Sequence, residues 1–201
     1  MLMLFLLVST MAIATSAVNY SSRALQDKIT DLPGLSTQPT FEMFSGYIDV
    51  SLAQDNSRQM FYWFVESQSK PETDPVFLWT NGGPGCSGLG GFMTEQGPFR
   101  PTANGTALTE NPFAWNMIAN VVFIEQPVGV GFSTTTDTDI AYGDAQAAAD
   151  NHRFVVGFFK RFSQFAKQDF FITSESYGGH YMPTLALSLV KTKDVPNFRG
   201  V

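Results

Sequence analysis

The stretch Ile172-Thr173-Ser174-Glu175-Ser176-Tyr177-Gly178-Gly179-His180-Tyr181 decides how the chain folds. It continues the apolar run Phe170-Phe171-Ile172-Thr173 and precedes the helical-looking segment Leu185 to Val190. An apolar run, a turn of small residues and then a helical pattern predict a buried strand that turns sharply into a helix. A serine at the tip of such a turn is held in a strained backbone conformation that lifts its Oγ above the sheet edge. The turn tolerates only small residues two positions to either side. Ser174 and Gly178 hold those positions about Ser176. Ser176 is therefore a candidate nucleophile, although a Gly/Ser turn can also be a plain connection, and a hydroxyl needs a base before it attacks anything.

Working outward, Val76-Phe77-Leu78-Trp79-Thr80 and Val121-Val122-Phe123-Ile124 are two further short apolar runs, each stopped by a Gly/Pro-containing loop. With the run at Phe170 they read as parallel strands. Tyr142 to Lys167 has helical spacing, with Phe154, Phe158, Phe162 and Phe165 at i, i+4, i+8 and i+11. Strand, helix, strand predicts a right-handed crossover in an α/β sheet. Nearer the N-terminus, Phe44 to Leu52 and Gln59 to Glu66 flank the turn-forming cluster Gln54-Asp55-Asn56-Ser57 and predict an antiparallel hairpin.

Composition narrows the class. Of 201 residues 44% are apolar, with 19 Phe, which is enough to bury a core. Twelve basic against eighteen acidic side chains give a net charge of −6, and no basic block is present, so no nucleic-acid partner is expected. Two His and one Cys, widely separated, give no ligand cluster, so neither a metal nor an organic cofactor is expected. Met1 to Ala17 is uncharged and mostly apolar and reads as a signal peptide, with an N-terminal anchor as the rival reading. No other stretch is long and apolar enough to span a bilayer, so no stable membrane span is expected once the signal is cleaved. The sequons at Asn19 and Asn104 fit a secretory route and are candidate glycosylation sites.

The second chemical signal is Asn81-Gly82-Gly83-Pro84-Gly85-Cys86-Ser87-Gly88. Adjacent glycines after a strand let backbone N–H groups point into a cleft, and an oxyanion formed by attack from Ser176 needs two donors. The expected donors are the amides of Gly83 and Tyr177. A phosphate-binding glycine loop is the alternative, but the spacing is wrong and no Lys follows.

With Asn111-Pro112 to Trp115-Asn116 and Glu125-Gln126-Pro127-Val128-Gly129-Val130-Gly131-Phe132-Ser133, these motifs stand in an order that resembles the N-terminal part of a serine carboxypeptidase, from Phe44 to Val201. Ser174 in place of the family's Gly and Thr80 in place of its commoner Leu are departures. The resemblance implies an incomplete α/β-hydrolase sheet over residues 18–201. It also implies a secreted, lysosomal or vacuolar glycoprotein that removes C-terminal residues from peptides and proteins at acidic pH. By similarity Asn81, Glu95 and Glu175 line the site for the substrate's terminal carboxylate. Glu95 and Glu175 are then expected to be a buried pair, because beside an anion they must be protonated to donate. The framework also serves acyltransferases, and a truncated chain that binds without turnover is the non-catalytic alternative.

An acyl-transfer site needs a base and an orienting acid after the nucleophile. Only His180 and Asp194 follow Ser176, and both are expected to be structural, as is His152. By resemblance the acid and base belong to a C-terminal part beyond Val201, and this chain alone is expected to be inactive. The same resemblance pairs Cys86 with a distant Cys that the chain does not contain.

Overall fold

In the computed structural model, residues 18–138 and 142–201 are described. The signal-peptide expectation for Met1 to Ala17 lies outside the described residues. The elements in chain order are α1 (Ser22–Gln26), β1 (Met43–Asp49), β2 (Arg58–Val65), β3 (Val76–Thr80), α2 (Gly88–Thr94), β4 (Phe99–Pro101) and β5 (Leu108–Glu110). They continue with β6 (Asn120–Ile124), β7 (Thr134–Thr135), α3 (Asp144–Arg161), β8 (Phe170–Ser174), α4 (Gly178–Thr192) and β9 (Phe198–Gly200). One mixed sheet runs in the order β1-β2-β6-β3-β8-β9, with β7 also on β2. The pairs of β2 with β1, β6 and β7 are antiparallel, whereas β6, β3, β8 and β9 are parallel.

Strand alternation divides the core into two layers, since successive side chains of a strand point to opposite faces. Tyr62, Phe64, Val76, Leu78, Val122, Ile124, Phe170 and Ile172 meet the apolar faces of α3 and α4. Trp79, Val121, Phe123 and Val65 meet Phe92 of α2 and Phe99 on the other side. The expected strands, the hairpin and the crossover helix are all present.

Boundaries differ for visible reasons. The first hairpin strand ends at Asp49 rather than Leu52, because the Asp49 carboxylate accepts from the amides of Ser51 (2.9 Å) and Asn56 (3.1 Å) and closes the turn. Leu52 is left 85% exposed. The helix expected to run to Lys167 stops at Arg161. Phe162 leaves helical geometry at φ −111°, ψ 55°, and a short 3-10 turn, Ser163–Phe165, follows. Phe162 and Phe165 stay buried, so the periodic apolar pattern survives a change of helix type. The last helix is longer than its apolar segment and contains Pro183.

One buried carboxyl gives the fold a pH dependence. Glu66, 4% exposed, accepts from the Tyr20 hydroxyl and from the Glu42 amide (3.3 Å). Burial pushes its pKa up from 4.5 to about 7, with the nearby Glu72 charge adding to the rise and the Glu42 amide opposing it. The folded state thus keeps a proton that the unfolded chain releases, so stability is full below about pH 4.5 and declines as pH rises towards 7. The expected loss across that window is roughly 2–3 kcal/mol. Urea unfolding midpoints at several pH values should fall accordingly and should be nearly flat for Glu66→Gln; equal slopes for the two proteins would rule out Glu66 as the source.

Candidate active site

Parallel register places Thr80 of β3 beside Ser174 of β8, so the turns that follow both strands lie side by side at one sheet end. Ser176, at the tip of the second turn, has φ +54° and is exposed. Such a left-handed conformation costs a non-glycine residue about 1–3 kcal/mol and persists only where its surroundings hold it. The turn is closed by hydrogen bonds from the Gly178 amide to the Glu175 carbonyl (2.8 Å) and from the Gly179 amide to the Ser176 carbonyl (3.0 Å).

Two glycines make the close approach possible. A Cβ on Gly82 would lie 2.4 Å from the Tyr177 nitrogen, and one on Gly178 would lie 1.6 Å from Ser174 Oγ. The Ser174 hydroxyl donates to the Thr80 carbonyl (2.6 Å), which ties the two strand ends together. The amides of Gly83 and Tyr177 donate to no acceptor among the described residues.

The three polar residues assigned by resemblance meet at this end. The Asn81 carbonyl oxygen accepts from the Trp79 indole and the Gly91 amide, both at 3.0 Å. Its orientation is thereby fixed, and its NH2 group turns to Glu95 Oε1 at 3.1 Å. Glu175 Oε1 accepts from the Gly82 amide at 3.1 Å. The expected burial of the two carboxyls is not found: both Glu95 and Glu175 are exposed among the described residues.

Neither imidazole reaches Ser176. His180 stacks on Tyr177, with ring centroids 4.6 Å apart. His152 on α3 bonds to Ser188 of α4 through Nδ1 (2.5 Å) and to Asp194 through Nε2 (2.8 Å). The Asp194 carboxylate, held by bonds from Thr192 and His152, titrates below the usual range despite partial burial. Cys86 is a free, exposed thiol, and Asn19 and Asn104 are both exposed. Among the described residues no group of three or more His, Cys, Asp or Glu side chains is placed to hold a metal ion.

Several residues that shape the site carried no assigned role in the sequence. Glu125, 1% exposed, accepts from the Ser87 hydroxyl, which caps α2, and from the Phe132 amide. Asn111 donates to the carbonyls of Glu95 (3.0 Å) and Gly97 (2.8 Å) and so fixes the backbone that carries Glu95. A buried chain of bonds runs from Asn151 of α3 to Gln126 (3.2 Å) and on to the Thr80 hydroxyl (3.1 Å). Asn111, Glu125 and Gln126 lie in the motifs quoted above, which was the available signal for them; Asn151 lies in the long helical segment and had none.

The serine carboxypeptidase family model matches residues 33–201. The chain belongs to the serine carboxypeptidase family. It is 46% identical to the lysosomal protective protein of Mus musculus over 176 residues, which are 88% of this chain and 36% of that protein. It is 40% identical to the serine carboxypeptidase ctsa-4.1 of Caenorhabditis elegans, over 97% of this chain and 41% of that one. Among solved structures it is similar to Kex1(Δ)p, a prohormone-processing carboxypeptidase from Saccharomyces cerevisiae. The TM-score is 0.74 at 26% identity, covering 89% of this chain and 44% of that one. The fold is therefore that of the α/β-hydrolases, present in part. The chain spans 36% and 41% of the length of those two curated relatives.

The Ser174–Gly178 packing makes a direct prediction. Gly178→Ala should destabilise the protein, because its methyl collides with Ser174 Oγ, and Ser174→Gly should relieve that cost by opening the space. The expected coupling in a double-mutant cycle is about 1–3 kcal/mol by denaturant unfolding, and additive effects would contradict the contact.

Proposed function

We propose that this chain supplies the nucleophile, the oxyanion donors and the carboxylate-recognition site of a serine-type carboxypeptidase. The observation that carries the reading is the exposed Ser176 at positive φ, beside two amides from different loops that have no acceptor among the described residues. Ser176 Oγ attacks the carbonyl of the last peptide bond, and the amides of Gly83 and Tyr177 take the developing oxyanion. Removing one such donor typically costs about 2.7–4 kcal/mol of transition-state stabilisation. The leaving amino acid departs, an acyl-enzyme remains, and water releases it. The proton taken from Ser176 needs a base that neither His152 nor His180 provides, and the family resemblance puts that base beyond Val201.

Asn81, Glu95 and Glu175 receive the substrate's free carboxylate. The fixed Asn81 amide donates at any pH, whereas a carboxyl donates only while protonated and repels the substrate once ionised. Peptides and proteins with a free C-terminus are therefore the substrates. No helix of the described residues is long and apolar enough to cross a membrane. A secretory route to an acidic compartment fits both the likeness to a lysosomal relative and the acid-favoured burial of Glu66.

The test uses the polypeptide that the transcript encodes, read through the codon for Val201. A fluorophosphonate should label Ser176, and Ser176→Ala should abolish both the label and the release of C-terminal residues from N-blocked dipeptides. Peptidase activity that survives Ser176→Ala would overturn the assignment. Glu175→Gln should change KM for peptides with a free C-terminus but not for the same peptides amidated; an equal effect on both would remove Glu175 from the carboxylate site.

A further inference from the structure

Tyr177 has two jobs in the proposed site that are mechanically linked. Its N–H is one of the two oxyanion donors, and its peptide follows the strained Ser176, so its orientation must be imposed from outside. Tyr177 stands at the N-cap of α4 with φ −63° and ψ −12°, and no side chain caps that end. Gly82 sits against its nitrogen on one side. What holds the other side is the phenol. Its hydroxyl lies 3.3 Å and 3.5 Å from the two carboxylate oxygens of Asp144, while its ring stacks on His180 and meets Tyr181 edge-on at 5.1 Å.

Asp144 is well placed to act as an anchor. It is the first residue of α3, an eighteen-residue helix fastened to the sheet by the buried Phe154 and Phe158. Half-buried, it forms no ion pair among the described residues, and its carboxylate accepts from the Tyr177 hydroxyl. Asp144 and Tyr177 share the wall of a cavity of ≈ 490 Å3 with Pro84, Val128 and Tyr181, beside the glycine loop that provides the other oxyanion donor.

We propose that Asp144 is a positioning residue for the carboxypeptidase reaction. By accepting the Tyr177 phenol hydrogen bond, it fixes the peptide whose N–H receives the oxyanion. The inference rests on the reading of Ser176 and Tyr177 given above and adds to it a residue from a different helix, 32 positions upstream of the nucleophile. Desolvation, and then the Asp144 charge, push the phenol pKa up, so the hydroxyl remains a donor throughout any working pH. A preorganised donor needs no reorientation when charge develops, so the contact acts on turnover more than on substrate binding.

The experiment compares Asp144→Ala, Asp144→Asn, Tyr177→Phe and the Asp144→Ala/Tyr177→Phe double variant in the expressed polypeptide, with Ser176→Ala as the zero. With N-blocked dipeptides, Asp144→Ala and Tyr177→Phe should each lower kcat by about three- to tenfold with KM within about twofold. Asp144→Asn, whose amide oxygen still accepts, should stay near wild type, and the double variant should be no worse than either single one. An unchanged kcat in Asp144→Ala, an equal loss in Asp144→Asn, or multiplying losses in the double variant would each overturn the proposal. If the wild type and Ser176→Ala are equally inactive, the carboxypeptidase reading fails instead, and hydrogen exchange decides the role of Asp144. Asp144→Ala and Tyr177→Phe should speed exchange at the amides of Gly178, Gly179 and His180 while Asp144→Asn does not; unaltered exchange refutes the anchor.

Discussion

Gly82 and Tyr177 touch through their backbones at the ends of two adjacent parallel strands, and the geometry of the candidate site follows from that contact. Two amides from different loops can aim at one point only if the loops lie closer than a side chain would allow. A methyl on residue 82 would sit 2.4 Å from the Tyr177 nitrogen, well inside van der Waals distance. The contact is set up by the register of β3 and β8, which brings Thr80 level with Ser174 and starts both turns at one height. Sheet register and loop composition are thus one constraint seen at two scales, and the proposed oxyanion donors depend on it.

A contact between two loops is only as firm as the layer behind it, and here that layer is polar and buried. Glu125 lies under the glycine loop, where a lone carboxylate would be strongly disfavoured unless hydrogen-bonded. It takes the Ser87 hydroxyl and the Phe132 amide, joining the start of α2 to the loop after β6. Asn111 holds the backbone of Glu95 from the far side, and the chain from Asn151 through Gln126 to Thr80 ties α3 to the strand that feeds the glycine loop. Buried hydrogen-bond networks of this kind rigidify what they connect, although the Asn151 side-chain oxygen is left without a partner among the described residues. They tie segments far from Ser176 in sequence to the strand ends that carry it.

The sheet was legible because short apolar runs stopped by Gly/Pro loops mark strands buried on both faces: Val76 and Leu78 face α3 and α4 while Trp79 faces α2. The elbow was legible because Ser174, Ser176 and Gly178 are small where the turn demands it. The end of α3 was hidden, since Phe162 and Phe165 satisfy the helical period although the backbone changes type between them. Exposure of Glu95 and Glu175 was hidden too. Their proposed role requires a dry environment, but dryness is a property of what lies above the cleft, and neither residue's neighbours in sequence encode it. His152 illustrates a third limit, because its partners Ser188 and Asp194 come from another helix and the loop after it, at separations that no local pattern reports.

The two departures from the family pattern, Thr80 and Ser174, face each other in the register, which invites the idea that one compensates for the other. The chemistry argues otherwise. Ser174 donates to the carbonyl of Thr80, a backbone atom that any residue at position 80 would present. The Thr80 side chain instead accepts from Gln126 and serves the link to α3. Each substitution therefore has its own partner, and each adds a hydrogen bond that its family counterpart, Gly or Leu, lacks the atoms to make. What limits position 174 is Gly178, whose missing side chain leaves the room the Ser174 hydroxyl occupies. The elbow accommodates one small side chain between these positions, and this chain places it on the strand side, where it can bond to β3.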